Sequence, residues 1–271
     1  IIIKLIGLTM SRKFFTSLFN KIGPLIKSKQ TTDNNLEKFL GSHNQNTKEK
    51  IKFDMWANYG KTFVEYLYLK KFKNTNFHIQ IKGEEILNEI KKNNKSVIFV
   101  SGHFANFELM SMELTKRNIK LATIYRPLNN FFLNPFMEFL RKKYICQNQI
   151  EKGLIGVKES INYIKKKISI ALMIDQRVSE GKRLPFFDHP ALTTTMPAQM
   201  ALKFNLDIVP IYIARNSNDT FVMEIYEPIK IIKKDDIETN KLNISIELNK
   251  ILEGMITKDP GQWIWTHNRW K

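Results

Sequence analysis

The amino-acid sequence predicts an α/β protein with a mostly parallel central sheet flanked by helices. One observation is the alternation of short apolar runs, at 96–100, 168–174 and 208–213, with segments of helical periodicity. A second is that Ser96-Val97-Ile98-Phe99-Val100 is apolar and β-branched almost throughout, as a strand buried on both faces must be. The third is size and composition: 271 residues, 43% hydrophobic and 25% charged, suffice for one sizeable domain with a core, or a domain with a helical appendage.

Along the chain, Phe14, Phe15, Leu18, Phe19 and Ile22 recur at helical spacing with Arg12, Lys13 and Lys21 among them. A basic, aromatic helix of this kind lies in a membrane interface or packs on the domain. The run that opens at Ile1 is broken at Lys4. It falls short of the roughly 18 to 20 residues that span a bilayer, and no small-residue cleavage site follows. Without an initiating methionine, Ile1 is read as either a truncation point or the start of an amphipathic segment.

Residues 27–50 are polar, with Gly41-Ser42 in the middle, and read as a connector with little structure of its own. The expected organisation is therefore an N-terminal helix and connector over 1–50 and a main domain over 51–271. Phe53, Trp56, Tyr59, Phe63, Val64 and Leu67 predict a helix over 51–72 whose aromatic stripe faces the core. A helix is expected from Gly83 to about Lys92, a strand at 96–100, a helix from Glu108 and a strand over Lys120 to Arg126. Helices over Phe136 to Tyr144 and Val157 to Lys167 precede a strand over Ile168 to Ile174. Residues 181–197 read as a Pro-, Gly- and Thr-rich loop feeding a helix at Ala198 to Phe204. Strands at 208–213 and 221–226, a helix from Ile244 to Met255 and an aromatic tail complete the chain.

A net charge of +17 points to an anionic partner: nucleic acid, an anionic membrane surface, or an acidic carrier or phosphorylated substrate. Compositional bias towards Lys, Asn and Ile is the competing explanation. The alternative of another class is a non-catalytic basic nucleic-acid or membrane-surface binding protein; nucleic-acid binders gather Lys, Arg and aromatics in one stripe, whereas these lysines are spread along the chain. The single Cys146 excludes an internal disulfide and a thiolate metal cluster and suits a reducing, cytoplasm-facing compartment. No Gly-x-Ser-x-Gly, phosphate loop or dinucleotide fingerprint is present, and no second histidine stands at zinc-ligand spacing from His103.

The chemistry-bearing stretch is Ser101-Gly-His-Phe-Ala-Asn-Phe-Glu108, which puts His103 where a strand ends and a helix begins. In open α/β sheets the crevice beyond the strand carboxyl ends is the usual ligand site. His103 and Glu108 are five residues apart and would diverge on one continuous helix. They form a pair only if Glu108 sits in the first helical turn and reaches back, orienting an imidazole whose other nitrogen takes a proton from a hydroxyl.

Five further stretches follow in order: Tyr125-Arg-Pro-Leu-Asn-Asn130, Asp175-Gln176, Pro185-Phe-Phe-Asp-His-Pro-Ala191, Gln199 to Pro210, and Pro260-Gly-Gln-Trp-Ile-Trp-Thr-His-Asn-Arg-Trp270. With residues 101–108 they resemble the late acyltransferases of lipid A biosynthesis, the lauroyl/myristoyl transferase family of Gram-negative bacteria, within the glycerolipid acyltransferase superfamily. Asp188-His189 departs from the Gly and basic residue more often found there, which bears on the shape of that loop.

The resemblance implies a glycerolipid-acyltransferase-like fold over 51–271 and transfer of a fatty acyl chain from an acyl carrier protein or coenzyme A thioester, as co-substrate, to a hydroxyl of a lipid A precursor. Another glycolipid or a phospholipid is the alternative acceptor. No cofactor or metal is implied, and no nucleic acid. The implied partners are acyl carrier protein, an anionic glycolipid and the cytoplasmic face of the inner membrane, met peripherally or through a single span. His103 is then the general base and Glu108 its orienter. Arg126 holds a substrate phosphate or the developing oxyanion, or else pairs with Glu108 or Asp175. Asp175 and Gln176 line the pocket or bond the loop, and Asn106 contacts substrate or caps the helix. Trp263, Trp265, His267, Arg269 and Trp270 suit a membrane interface or a segment packed over the core. Arg141, Lys142 and Lys143, with Lys165, Lys166 and Lys167, suit an acidic carrier or lipid phosphates, solvated helix ends being the alternative.

Overall fold

The computed structural model describes residues 2–41, 44–128, 130–231 and 236–271; Ile1, Ser42 and Asn129, named above, lie outside them. Three helices open the chain, α1 (Ile2–Ile26), α2 (Lys29–Leu40) and α3 (Gln45–Glu65), and α4 (Leu69–Asn74) follows a short 3-10 turn. Then come β1 (Ile79–Lys82), α5 (Glu84–Lys92), β2 (Ile98–Ser101), α6 (Glu108–Lys116), β3 (Leu121–Tyr125), α7 (Leu133–Leu140), β4 (Asn148–Glu151), α8 (Leu154–Lys165) and β5 (Ser169–Met173). A hairpin of β6 (Lys182–Phe186) and β7 (His189–Thr193) precedes α9 (Met196–Phe204), β8 (Ile208–Arg215), β9 (Phe221–Ile225) and α10 (Ile237–Lys258).

Seven strands form one sheet in the order β1-β9-β8-β2-β5-β3-β4, and every neighbouring pair but β8 and β9 is parallel. The mostly parallel sheet flanked by helices is thus the one the apolar runs predict. β2 is central and buried at all four positions, because helices cover both faces. Its side chains alternate between two cores: Ile98 and Val100 join Met55, Trp56, Leu248 and Trp263, whereas Phe99 joins Leu87, Leu109 and Met112.

Several expectations are corrected. Residues 27–50 are not a bare connector: α2 lies within them, capped by the Ser28 hydroxyl accepting from Thr31 N–H, and it drives Leu36 into the core. The helix over 51–72 starts earlier, ends at Glu65 and resumes as α4. The loop at 181–197 contains the β6-β7 hairpin, whose two-residue turn puts Phe187 and Asp188 at φ 48° and 58°. Strands β1 and β4 were not expected. They are the two edges of the sheet, and their mixed Ile-Gln-Ile-Lys and Asn-Gln-Ile-Glu sequences lack the continuous apolar run of a central strand.

The aromatic tail belongs to the core. Trp263, Trp265 and Arg269 are essentially inaccessible; the Arg269 guanidinium donates to Leu192 O and Thr193 Oγ1 and stacks on Phe186. No helix among the described residues is long and apolar enough to cross a membrane.

Candidate active site

Because β2 and β5 are parallel neighbours with Ser101 opposite Met173, the residues leaving their carboxyl ends emerge side by side. Ile174 N–H donates to Ser101 O at 2.9 Å, which extends the ladder by one bond. The next residue on that strand, Asp175, then lies against His103. Its Oδ1 is 2.8 Å from His103 Nδ1, and its Oδ2 accepts the His103 backbone N–H, also at 2.8 Å. Trp263 Nε1 donates to the same Oδ2 at 2.8 Å.

Asp175 is fully buried while the His103 side chain keeps 19% of its surface exposed. Burial works against the Asp175 carboxylate. The positive charge of His103, its ring and backbone hydrogen bonds and the Trp263 N–H outweigh that cost and hold the carboxyl down at about 2. An ionised carboxylate on Nδ1 assigns the ring proton to that nitrogen and leaves Nε2 as the basic one. Nε2 has no protein partner among the described residues, and Phe107 packs edge-on against the ring with centroids 4.6 Å apart.

The turn carrying His103 is tightly held. A Cβ on Gly102 would come within 2.7 Å of the Phe104 ring and 3.3 Å of Asp175 Oδ2, so this position needs glycine. Ala105 is left-handed at φ 44°, a conformation a non-glycine residue keeps only when its surroundings impose it. Here Thr62 Oγ1 and Asn58 Nδ2 donate to Ala105 O, and Ala105 N–H donates to Gln262 O. Asn106 Nδ2 donates to Glu65 Oε2 at 2.9 Å. Glu65, wholly buried, is neutralised by Arg12 of α1 and Arg215 at the end of β8. α1 and α3 therefore brace the histidine turn from below.

The partner of His103 is thus Asp175, and the reach-back expected of Glu108 is not what the structure holds. Glu108 does sit in the first turn of α6, but its Oε1 accepts from Tyr66 Oη at 2.6 Å and from Arg141 Nη2 and Nε at 2.6 and 2.8 Å. Burial, reinforced by Glu108, pushes the Tyr66 phenol well up; Glu108 raises Arg141 against the opposing effect of burial. Arg141 is correspondingly buried, so it is not part of a basic docking surface, in contrast to the exposed Lys142 and Lys143.

Arg126 leaves the end of β3 exposed and makes neither of the ion pairs considered for it, with Glu108 or with Asp175. Lys152, which follows β4, donates its backbone N–H to Tyr125 O; burial and the charge of Arg126 lower its pKa. Gln176 is half-buried beside Asp175, and the next N–H, that of Arg177, donates to His267 Nε2 at 2.8 Å. Burial pushes His267 down to about 4, so it serves as a neutral acceptor. Asn106 is buried beneath the turn on Glu65, and the start of α6 has no side-chain cap. A cleft of about 670 Å³ lies among Pro24, Trp56 and Lys52, between α1, α2 and α3, and is not lined by His103.

Sequence reasoning missed the supports Trp263, Glu65, Arg215 and Tyr66. Trp263 was at hand in the Pro260 to Trp270 stretch. Asn58, Thr62 and Glu65, spaced by four and three within an aromatic helix, form a polar stripe that signals contact with backbone rather than with core.

A histidine at strand carboxyl ends, oriented by a buried aspartate and with its second nitrogen unpartnered among the described residues, has the geometry with which a side chain can take a proton. The family profile described as bacterial lipid A biosynthesis acyltransferase matches residues 1–271, and the chain belongs to that family of transferases. It is 24% identical over 188 residues to lipid A biosynthesis acyltransferase 2 of Shigella flexneri, spanning 68% of this chain and 58% of that protein. It is 21% identical over 258 residues to the lipid A biosynthesis palmitoleoyltransferase of Escherichia coli (strain K12), spanning 92% of this chain and 80% of that protein.

Proposed function

We propose that the protein transfers a fatty acyl chain from a thioester, carried by acyl carrier protein or coenzyme A, to a hydroxyl of a phosphorylated glucosamine lipid of the lipid A pathway. His103 Nε2 takes the hydroxyl proton as the oxygen attacks the thioester carbonyl. The C–O bond forms, the C–S bond breaks, and the proton passes to the departing thiolate. Asp175 stabilises the imidazolium that exists between those two transfers. The thioester supplies the activated acyl group, so the reading needs no cofactor.

The observation that carries this reading is the 2.8 Å contact between His103 Nδ1 and Asp175, with Nε2 left free to act on substrate. Arg126 and Lys152, at the ends of the adjacent strands β3 and β4, are the cations we assign to an acceptor phosphate. Gln176 lines the same edge. Glu108 acts through Arg141 and Tyr66 on the α6 side of the turn. In this reading residues 51–271 carry the chemistry, and α1 lies at the cytoplasmic face of the inner membrane.

The test is product mass spectrometry after incubation with an acyl thioester and a phosphorylated glucosamine lipid bearing a hydroxyacyl chain. One acyl chain gained by the lipid, absent with His103→Ala at equal folded fraction, is expected. Acylation that persists in His103→Ala, or that passes through an acylated form of the protein, overturns the direct transfer.

A further inference from the structure

The carboxyl ends of β3 and β4 carry a feature that the base and its supports do not use. The segment after β3 exposes Phe131 by 82% and Phe132 by 88%, and Leu133, Phe136 and Phe139 of α7 are also exposed. The neighbouring strand β4 leads into Leu154 and Ile155, exposed by 87% and 83% at the start of α8. Lys152 N–H bonds Tyr125 O, so both segments leave from one corner of the sheet, on the edge where His103 and Asp175 also emerge. Scattered exposed apolar residues are ordinary, but seven in two adjoining segments are not.

The turn that follows α7 is basic. Lys143 Nζ lies 5.0 Å from the Phe139 ring and 5.6 Å from the Tyr144 ring. Lys73 of α4 donates to Lys143 O, and Lys142 is exposed beside it. Exposed aromatics along α7 and the segment before it, with lysines just past its end, suit the layering of a bilayer surface, acyl chains inside and phosphates outside. An acidic protein would meet the lysines and leave the phenylalanines in water. Helix α7 is also rigidly joined to the site: Arg141, directly after it, holds Glu108 of α6 and stacks on Tyr125, and Tyr125 Oη donates to Glu138 of α7.

We propose that Phe131, Phe132, Leu154 and Ile155 insert into an anionic lipid surface as a membrane contact separate from α1. The occupant is the lipid bilayer itself, with Lys142, Lys143 and Lys73 on its phosphates. This places the sheet edge that carries His103 against the membrane, so a lipid acceptor reaches the base without leaving the bilayer. The membrane setting rests on the function proposed above; the surface that meets it is a distinct statement about this corner of the sheet.

The test is sedimentation of the full chain with vesicles of phosphatidylethanolamine and phosphatidylglycerol, compared with phosphatidylcholine alone. The double substitution Phe131→Ser with Phe132→Ser is expected to lower the partition coefficient about tenfold or more. Lys142→Gln with Lys143→Gln is expected to lower it only on the anionic vesicles, and added salt to mimic that loss. With acceptor dispersed in detergent, the phenylalanine variant is expected to turn over at the unaltered rate. Vesicle binding that survives the Phe131/Phe132 substitutions overturns the proposal. So does a loss confined to binding of acyl carrier protein, or to self-association seen by sedimentation velocity. Loss of acyl transfer with intact vesicle binding in wild type counts against the function alone.

Discussion

Trp263 Nε1 and the His103 backbone N–H donate to one oxygen of Asp175, Oδ2, each at 2.8 Å. The other oxygen is thereby left to the imidazole. A carboxylate bonded at both oxygens cannot rotate, and this converts a buried charge into a fixed orienter for the ring. Trp263→Phe keeps an aromatic ring in the core, gives up part of its volume and removes one donor. A fall of about tenfold in kcat with little change in KM is expected from steady-state acyl transfer, because an unpaired carboxylate lone pair costs about 1–3 kcal/mol. Equal loss of thermal stability and activity would point to packing alone.

Asp175 also sets an acid limit. Its carboxyl is held at about 2, below the usual aspartate value. The stability it contributes is therefore fully present above about pH 4, the unfolded value, and is lost as pH falls through about 2. The shift corresponds to about 2 kcal/mol. Chemical denaturation between pH 6 and about pH 2 is expected to show a steeper loss for wild type than for Asp175→Asn, with the difference confined to the region below about pH 4. Parallel curves contradict the assignment.

Gly102→Ala puts a methyl within 2.7 Å of Phe104 and 3.3 Å of Asp175 Oδ2. Phe104 is wholly buried against Tyr212 and has nowhere to move, so the turn must shift instead. A loss of about 1–3 kcal/mol in stability is expected by denaturant titration, and a fall in kcat of about 10²-fold from displacing His103. Wild-type turnover shows that the glycine is dispensable.

Glu65 and Glu108 are each buried against arginine. Truncating either to Ala strands an arginine, and about 3–5 kcal/mol of destabilisation is expected from thermal or urea unfolding. At matched folded fraction, Glu108→Gln is expected to lose less turnover than Asp175→Asn, because Glu108 reaches His103 only through the turn. The reverse order makes Glu108 the orienter.

The central strands and their order along the chain were legible because parallel strands covered on both faces must be apolar, as Val97 to Val100 and Ile170 to Leu172 are. His103 was legible for the related reason that it ends such a run. The partner of His103 was not. Sequence proximity favours Glu108, five residues away, whereas Asp175 is 72 residues away and becomes a neighbour only through the β2-β5 register. Nor was it visible that Arg141 would satisfy Glu108, since an arginine in a Lys-rich run looks solvated until a π-type turn buries it. Trp263 and Trp265 illustrate the same limit: an aromatic tail suits an interface or a core, and the full burial of both rings decides for the core.

The most direct measurement is the turnover of Asp175→Asn, with His103→Ala beside it, on acyl thioester and lipid acceptor, after circular dichroism and thermal unfolding have matched folded fractions. Oriented base catalysis contributes about 10² to 10⁴ in rate. A fall of kcat by at least about 10²-fold in both variants, with KM for the thioester little changed, is the expected result. Asp175→Asn within about threefold of wild type, while His103→Ala is inactive, contradicts the pairing at the centre of this mechanism.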